Sequence, residues 1–200
     1  MARACEAYLL RLCTGTPPCC ASCPASVKIV WFWLPLLLLV GCHKKDPSPE
    51  EQLPTATQSG ANTFGCLVNG QPWTPKGNNG SSNYSVSYDR AYRKGTLNVG
   101  TYRYIGTGAN DYQLVGFYAD SIPTPGTYSL AIVNHHEGIF LDRTKTCQFP
   151  GNDPYYRKGS LTITRLDVQA GIISGTFEFT LARPGCDTVR VTQGRFDKKL

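Results

Sequence analysis

The strongest constraint on this fold is a regular alternation of apolar and polar residues near the C-terminus. Over residues 173–181, Ile, Gly, Phe, Phe and Leu occupy every second position, and Ser, Thr or Glu lie between them. Successive side chains of a β-strand point to opposite faces, so the pattern predicts a long strand with one buried face. Leu161 and Ile163 alternate with threonines in the same way. Such strands need a second layer that covers their apolar face.

The remainder of residues 62–200 predicts further short strands. Between Phe64 and Trp73, two apolar stretches flank Asn69-Gly70, the pair that favours a tight hairpin turn. No segment after Cys42 has helical periodicity. We therefore predict an all-β domain at residues 62–200, an antiparallel sandwich or barrel of about eight to ten strands. The other predicted strands lie near residues 84–88, 96–104, 112–119, 127–133, 138–142, 161–164 and 189–191, with a long loop at 143–158.

An apolar run near the N-terminus indicates where the domain resides. Residues 29–40 are twelve apolar residues that follow Lys28 and include Pro35. A membrane-spanning helix needs about 20 such residues, whereas a secretory signal needs roughly 7–15. The run ends in Leu39-Val40-Gly41-Cys42 and is followed at once by charged residues.

This arrangement resembles a bacterial lipoprotein signal. The resemblance implies a signal peptide at residues 27–41 with a lipobox of Leu39, Val40 and Gly41, and cleavage before a lipidated Cys42. The expected partner of the mature protein is therefore a membrane, reached through Cys42. The expected location is the cell envelope, on the outer membrane.

Two segments flank this signal. Residues 1–26 are rich in cysteine and fit neither a signal nor a domain, so we interpret them as an upstream extension from a mis-assigned start. Cys20 and Cys23 have CxxC spacing, but no second pair that would complete a zinc site is close. Residues 42–61, rich in Pro, Ser, Thr and Gln, predict a disordered tether. Their early Lys and acidic residues also resemble the surface-export tag of Bacteroidota lipoproteins.

Three cysteines remain in the predicted domain. Cys66 alternates with apolar neighbours and is predicted to be a buried thiol. Cys147 and Cys186 lie in loop-like sequence, and an oxidising envelope permits disulfides. We predict a disulfide between Cys147 and Cys186.

Charge and motifs exclude several classes of function. The net charge is +6 for the whole chain, and its basic residues are scattered, which argues against a nucleic-acid partner. The sequence lacks a GxSxG elbow, an HExxH motif, a Walker loop and a paired-carboxylate signature. His135-His136-Glu137 is predicted to be an exposed turn, because adjacent imidazoles on a strand rarely reach one metal. We expect no catalytic residues, no cofactor and no metal.

Four segments are similar to a family of uncharacterised Bacteroidota lipoproteins: Asn62–Gly70, Leu161–Arg165, Ile173–Phe177 and Val191–Asp197. The resemblance covers about residues 62–200 and implies the location and the β-fold, with no activity. Ser121, within Asp120-Ser121-Ile122, also resembles an acceptor for the O-glycosylation of that phylum. A second match at Thr188 is predicted to lie within a strand.

Three functional hypotheses follow. The leading one is a lipid-anchored, non-catalytic domain that binds a glycan or an envelope protein, or that acts as a structural module. A filled core with a tyrosine-rich groove would favour it. The alternatives are a barrel that binds a small apolar ligand and an envelope hydrolase. An enclosed apolar cavity would favour the first alternative, and carboxylates clustered in a cleft the second.

Overall fold

The computed structural model describes residues 46–150 and 155–200, in which two antiparallel sheets pack face to face. Sheet A has the strand order β2-β1-β11-β10-β9-β6, and sheet B has the order β3-β4-β5-β8-β7. The predicted all-β fold is confirmed, and of the two predicted architectures, sandwich and barrel, it is the sandwich. The part of the chain that the structure describes has eleven strands, one more than the eight to ten expected. In chain order they are β1 (Thr63–Val68), β2 (Gln71–Trp73), β3 (Tyr84–Asp89), β4 (Thr96–Tyr104), β5 (Tyr112–Ala119), β6 (Gly126–Ser129), β7 (Ala131–Ile132), β8 (His136–Asp142), β9 (Tyr156–Asp167), β10 (Ile172–Ala182) and β11 (Val189–Lys199).

Local sequence accounts for the first hairpin. Val68 pairs with Gln71 across the two-residue turn Asn69-Gly70. Asn69 has a φ of 48° and Gly70 a φ of 81°, which are the positive values that this tight turn requires. The predicted Asn-Gly turn is confirmed. The predicted bounds of β4 and β5 also agree with the structure.

The structure divides one predicted strand between the two sheets. Residues 127–133 were expected to form a single strand, but β6 pairs with β9 in sheet A and β7 pairs with β8 in sheet B. Leu130 lies between them, fully buried, and its amide donates to the Gly159 carbonyl at 2.9 Å. The chain thus changes sheets at a core residue, which an alternating pattern alone does not reveal.

Aromatic side chains fill the space between the sheets. The Phe177 ring lies 5.2 Å from the Phe64 ring and 5.0 Å from the Phe117 ring, measured between centroids. On β8, a Cβ at Gly138 would lie 2.5 Å from the ring of Phe179, so glycine permits this close approach of the two sheets. The interior is therefore a packed aromatic core.

The segment before β1 lies on the outer face of sheet A, and we call residues 46–61 the strap. Phe196 points into the core, so its neighbours Arg195 and Asp197 point outward. Asp197 is nevertheless 0% exposed, because the strap covers it. Its carboxylate accepts hydrogen bonds from Thr57 Oγ1 at 2.6 Å, from the amides of Ser59 (3.0 Å), Gly60 (2.9 Å) and Ala61 (3.0 Å), and from Ser174 Oγ at 2.6 Å.

The upstream half of the strap is also in contact with sheet A. Leu53 is 7% exposed, and Glu50 lies 3.5 Å from Arg195. A Cβ at Gly65 on β1 would lie 2.6 Å from Pro54 Cδ, so only glycine at this position lets the strap pack this closely.

The structure thus differs from the predicted disordered tether over residues 46–61. Their composition is poor in apolar residues, but a buried carboxylate on the sheet bonds the amides and hydroxyls that the composition supplies. Residues 1–26, the signal at 27–41 and the start of the predicted tether lie outside the described residues.

Candidate functional site

A groove on the outer face of sheet B is lined by aromatic and small polar side chains. We call it the tyrosine groove, after Tyr102 and Tyr104 on β4 and Tyr112 on β5. It has a volume of about 330 Å³. Its other walls include Asn79 and Ser81 from the loop before β3. The groove therefore combines ring surfaces with hydrogen-bonding groups.

Strand register places the three tyrosines on the outer face. Thr101 and Val115 form an inward-facing pair, both buried. Since side chains alternate, the next residues along β4 and β5 point outward. Tyr104 lies opposite Tyr112, with 5.8 Å between ring centroids, and Tyr102 lies 5.8 Å from Tyr104 in an edge-to-face arrangement. The three rings thus form one continuous aromatic surface that the core does not use.

The loop at residues 77–83 forms a fixed wall beside these rings. Tyr102 Oη lies 2.9 Å from Asn79 Oδ1 and 2.7 Å from the Ser81 carbonyl, and it accepts a hydrogen bond from the Asn79 amide at 3.2 Å. Asn83 Nδ2 donates to the Gly77 carbonyl at 2.9 Å and closes the loop. Gly77 has a φ of +94°, and a Cβ there would lie 2.7 Å from the Tyr104 ring. The wall is therefore built before any ligand arrives.

The tyrosine groove is uncharged. All the residues that line it are Tyr, Asn, Ser, Thr, Gly or Leu. A charged ligand would enter without a counter-charge, whereas a neutral polyhydroxylated ligand would find ring faces and amide or hydroxyl partners. The lining thus favours a neutral ligand.

A larger cleft of about 800 Å³ lies at one end of the sandwich, beside the β1–β2 turn. Trp73 Nε1 donates to Gln113 Oε1 at 3.0 Å, and Gln113 Nε2 donates to Asp142 Oδ2 at 2.8 Å. Asp142 Oδ1 also accepts from Thr144 Oγ1 at 2.6 Å. Burial acts to raise the pKa of Asp142, but the hydrogen bonds from Thr144 and Gln113 outweigh it and hold the pKa below its ordinary value. These four side chains thus form one hydrogen-bonded chain along the cleft.

Cys147 lines that cleft and is bonded to a second cysteine. Cys147 and Cys186 form a disulfide in the structure, which is the pair chosen from the sequence. The bridge joins the loop after β8 to the loop between β10 and β11. Cys66 is a free thiol with 0% exposure, and burial raises its pKa. The proposed lipidation residue Cys42 and the lipobox residues Leu39, Val40 and Gly41 lie outside the described residues.

The His135-His136-Glu137 segment differs from the predicted exposed turn. His135 is exposed, but its Nδ1 lies 3.0 Å from Asp120 Oδ2. His136 and Glu137 begin β8, and Glu137 is buried in an ion pair with Arg157 at 2.6 Å. These partners are distant in the chain, so the local pattern did not predict them.

Asp120 accepts contacts from two sides. Besides His135, Arg93 Nη1 lies 3.0 Å from its Oδ2. Burial acts to raise the pKa of Asp120, but the hydrogen bonds from Arg93 and His135 outweigh it and lower the pKa. Ser121, the proposed O-glycosylation residue, is exposed beside this cluster with a φ of 55°, and its Oγ donates to the Arg93 carbonyl at 3.3 Å.

No group of three or more His, Cys, Asp or Glu residues within 46–150 and 155–200 is arranged to hold a metal ion. No helix in the same ranges has the length and apolarity needed to cross a membrane.

Comparison with known families gave one match. A family model described as a domain of unknown function (DUF6252) matches residues 85–198, which is more than half of the chain. The matched region begins in β3 and ends in β11, so it includes the three tyrosines of the groove. Comparison of the chain with curated proteins and with solved structures found no match.

Proposed function

Because the chain belongs to the DUF6252 family, whose description assigns no function, we propose from its own geometry that it is a non-catalytic binding domain of the cell envelope and that its ligand is a neutral glycan. The observation that carries this proposal is the tyrosine groove. Three tyrosines lie on an outer sheet face, where the core does not require them, beside a loop of Asn and Ser residues.

The chemistry of the groove suits a sugar. The faces of Tyr104 and Tyr112 offer apolar surface to the C–H groups of a pyranose ring, and tyrosine loses little conformational entropy when it is held in place. Asn79 and Ser81 are within the same groove for hydroxyl contacts. The Tyr102 hydroxyl positions their loop in advance, which lowers the cost of ordering on binding.

Other concave spaces support the proposal less well. The interior between the sheets is filled by Phe64, Phe117, Phe177 and their neighbours, where a barrel for an apolar ligand would need empty volume. The larger cleft at the end of the sandwich is lined by charged side chains such as Asp142 and Lys145, which suit a neutral ligand less well than the uncharged tyrosine groove. A glycan in the tyrosine groove therefore best explains why three tyrosine rings lie on the outer face of sheet B.

We further propose that a lipid on Cys42 attaches this domain to the outer membrane, as a member of the Bacteroidota lipoproteins that its motifs resemble. The support is the sequence itself: a twelve-residue apolar run at 29–40, a small Gly41 at the cleavage site, and a cysteine directly after it. Ser121 remains a proposed O-glycosylation site, supported by its exposure.

Metabolic labelling with a fatty-acid analogue tests the anchor. We expect the expressed full chain to incorporate label and the Cys42→Ala variant to incorporate none, because the acyl groups are attached at that residue. A serine or alanine at any of the five upstream cysteines serves as the control and should leave labelling unchanged. Labelling that persists in Cys42→Ala would show that the anchor is wrong.

Calorimetric titration with panels of neutral and acidic oligosaccharides tests the groove. We expect binding to neutral members only, and we expect Tyr104→Ala and Tyr112→Ala each to weaken it about tenfold, equivalent to about 1.4 kcal/mol. Tyr104→Phe should retain most of the affinity, because the ring surface is kept.

The matched control is Tyr156→Ala. Tyr156 is 59% exposed, and it belongs to sheet A, so its loss should not alter glycan affinity. Equal losses for Tyr156→Ala and Tyr104→Ala, or binding that survives the double variant at positions 104 and 112, would place the ligand elsewhere.

A further inference from the structure

The strap and the tyrosine groove lie on opposite faces of the sandwich. The strap contacts sheet A through Asp197, Arg195 and Gly65, all of which point away from the core. The groove is formed by outward residues of β4 and β5 in sheet B. Packed sheets are about 10 Å apart, so the two features are separated by the full thickness of the domain.

The strap shortens the free link between Cys42 and the domain. Glu50, which contacts Arg195, lies eight residues after Cys42, and Ala61 lies nineteen residues after it. Even fully extended, eight residues reach at most about 29 Å, whereas nineteen residues reach about 68 Å. The longer link could extend around the domain to either face, whereas the shorter one keeps Cys42 near the outer face of sheet A.

We infer that the strap orients the anchored domain so that sheet A faces the membrane and the tyrosine groove faces away from it. This inference rests on the lipid anchor proposed above. The strap is held by four hydrogen bonds, from Thr57, Ser59, Gly60 and Ala61, to the buried Asp197 carboxylate and by the burial of Leu53. The strap therefore keeps the anchor close to the outer face of sheet A. A ligand in the surrounding medium or on a neighbouring surface then meets the groove first.

Fluorescence quenching on vesicles tests the orientation. The lipidated full chain is inserted into phosphatidylcholine–phosphatidylglycerol vesicles that contain a nitroxide-headgroup lipid. A fluorescent amino acid replaces either Thr192, exposed on the outer face of sheet A, or Ser87, exposed on the outer face of sheet B. We expect quenching at position 192 to exceed quenching at position 87 several-fold.

Release of the strap should remove this difference. Leu53→Asp places a charge at a buried strap position, and we expect quenching at the two positions to become equal. The matched control is Ile132→Asp, which adds the same charge at a side chain that is 47% exposed on β7, and the difference should persist. The comparison within the wild-type chain needs no strap variant and is decisive by itself.

The outcomes separate this inference from the anchor. Protein that floats with the vesicles but is quenched equally at both positions overturns the orientation and leaves the anchor intact. Protein that does not float with the vesicles overturns the anchor and the orientation together. Stronger quenching at position 87 would show that the groove faces the membrane.

Discussion

At the scale of single residues, Asp197 is a buried carboxylate that accepts hydrogen bonds from both the strap and β10. It is fully buried on β11, and it carries its charge without a basic side-chain partner among its hydrogen bonds. Burial acts to raise its pKa, but the hydrogen bonds from the Ala61 amide, Ser174 and Thr57 outweigh burial and hold the pKa far below its usual value. The strap is thus bound by a carboxylate that stays ionised.

Replacement of Asp197 by asparagine should lower the free energy of unfolding by about 1.5–3 kcal/mol at pH 7, the range for hydrogen bonds to a charged group. The side-chain NH2 of asparagine is a hydrogen-bond donor, and it would face strap groups that are donors themselves, so hydrogen bonds would be lost. Urea denaturation followed by tryptophan fluorescence measures the difference. Asp187→Asn is the control, because Asp187 is exposed and should change stability little.

The lowered pKa of Asp197 also predicts how folding stability changes with pH. The pKa of Asp197 is lower in the folded state than in the unfolded state, where it is about 3.9. The contribution of Asp197 to folding stability is therefore complete above that pH, and it is lost as the pH falls toward the pKa of the folded state. The stability gap between the wild type and Asp197→Asn should narrow between pH 5 and pH 2.5. A gap that widens on acidification would contradict this assignment.

At the scale of elements, the strands were easier to predict from the sequence than the segments that connect them. The strands between residues 84 and 119 were predictable because each shows period-two alternation within itself. The strap was not, because its partner Asp197 lies more than 130 residues away in the sequence and its own composition resembles a linker. The change of sheets at Leu130 was hidden for a related reason, since both halves of that segment have strand-like residues.

The disulfide between Cys147 and Cys186 joins two of these loops across 39 residues of chain. Closing such a loop stabilises a domain by about 4 kcal/mol in the chain-entropy model. We expect the Cys147→Ser, Cys186→Ser double variant to lose about this much, measured by urea denaturation without reductant. Addition of reductant should bring the wild type to the same midpoint and leave the double variant unchanged. A double variant within about 1 kcal/mol of the oxidised wild type would show that the bridge contributes little.

At the scale of the whole molecule, the sandwich was predictable but the candidate site was not. Outward tyrosines could have been noted from their positions, because Tyr102 and Tyr104 alternate with residues that face the core. Their meeting with Tyr112 depends on the register of β4 and β5, and the groove also needs the loop at residues 77–83 against Tyr102. These contacts join three separate segments of the chain, so the pattern within any one segment does not predict the groove.

The pairing of β1 with β11 has a consequence for how such a chain would be delivered. Thr63 lies opposite Asp197, so the first strand of the domain completes its sheet only with the last one. In a polypeptide that crosses a membrane N-terminus first, β1 could pair with β2, but the strap and the other edge of β1 would lack their partners until the final residues arrive. Sheet A would thus stay open throughout transit, and its closure would coincide with the end of translocation.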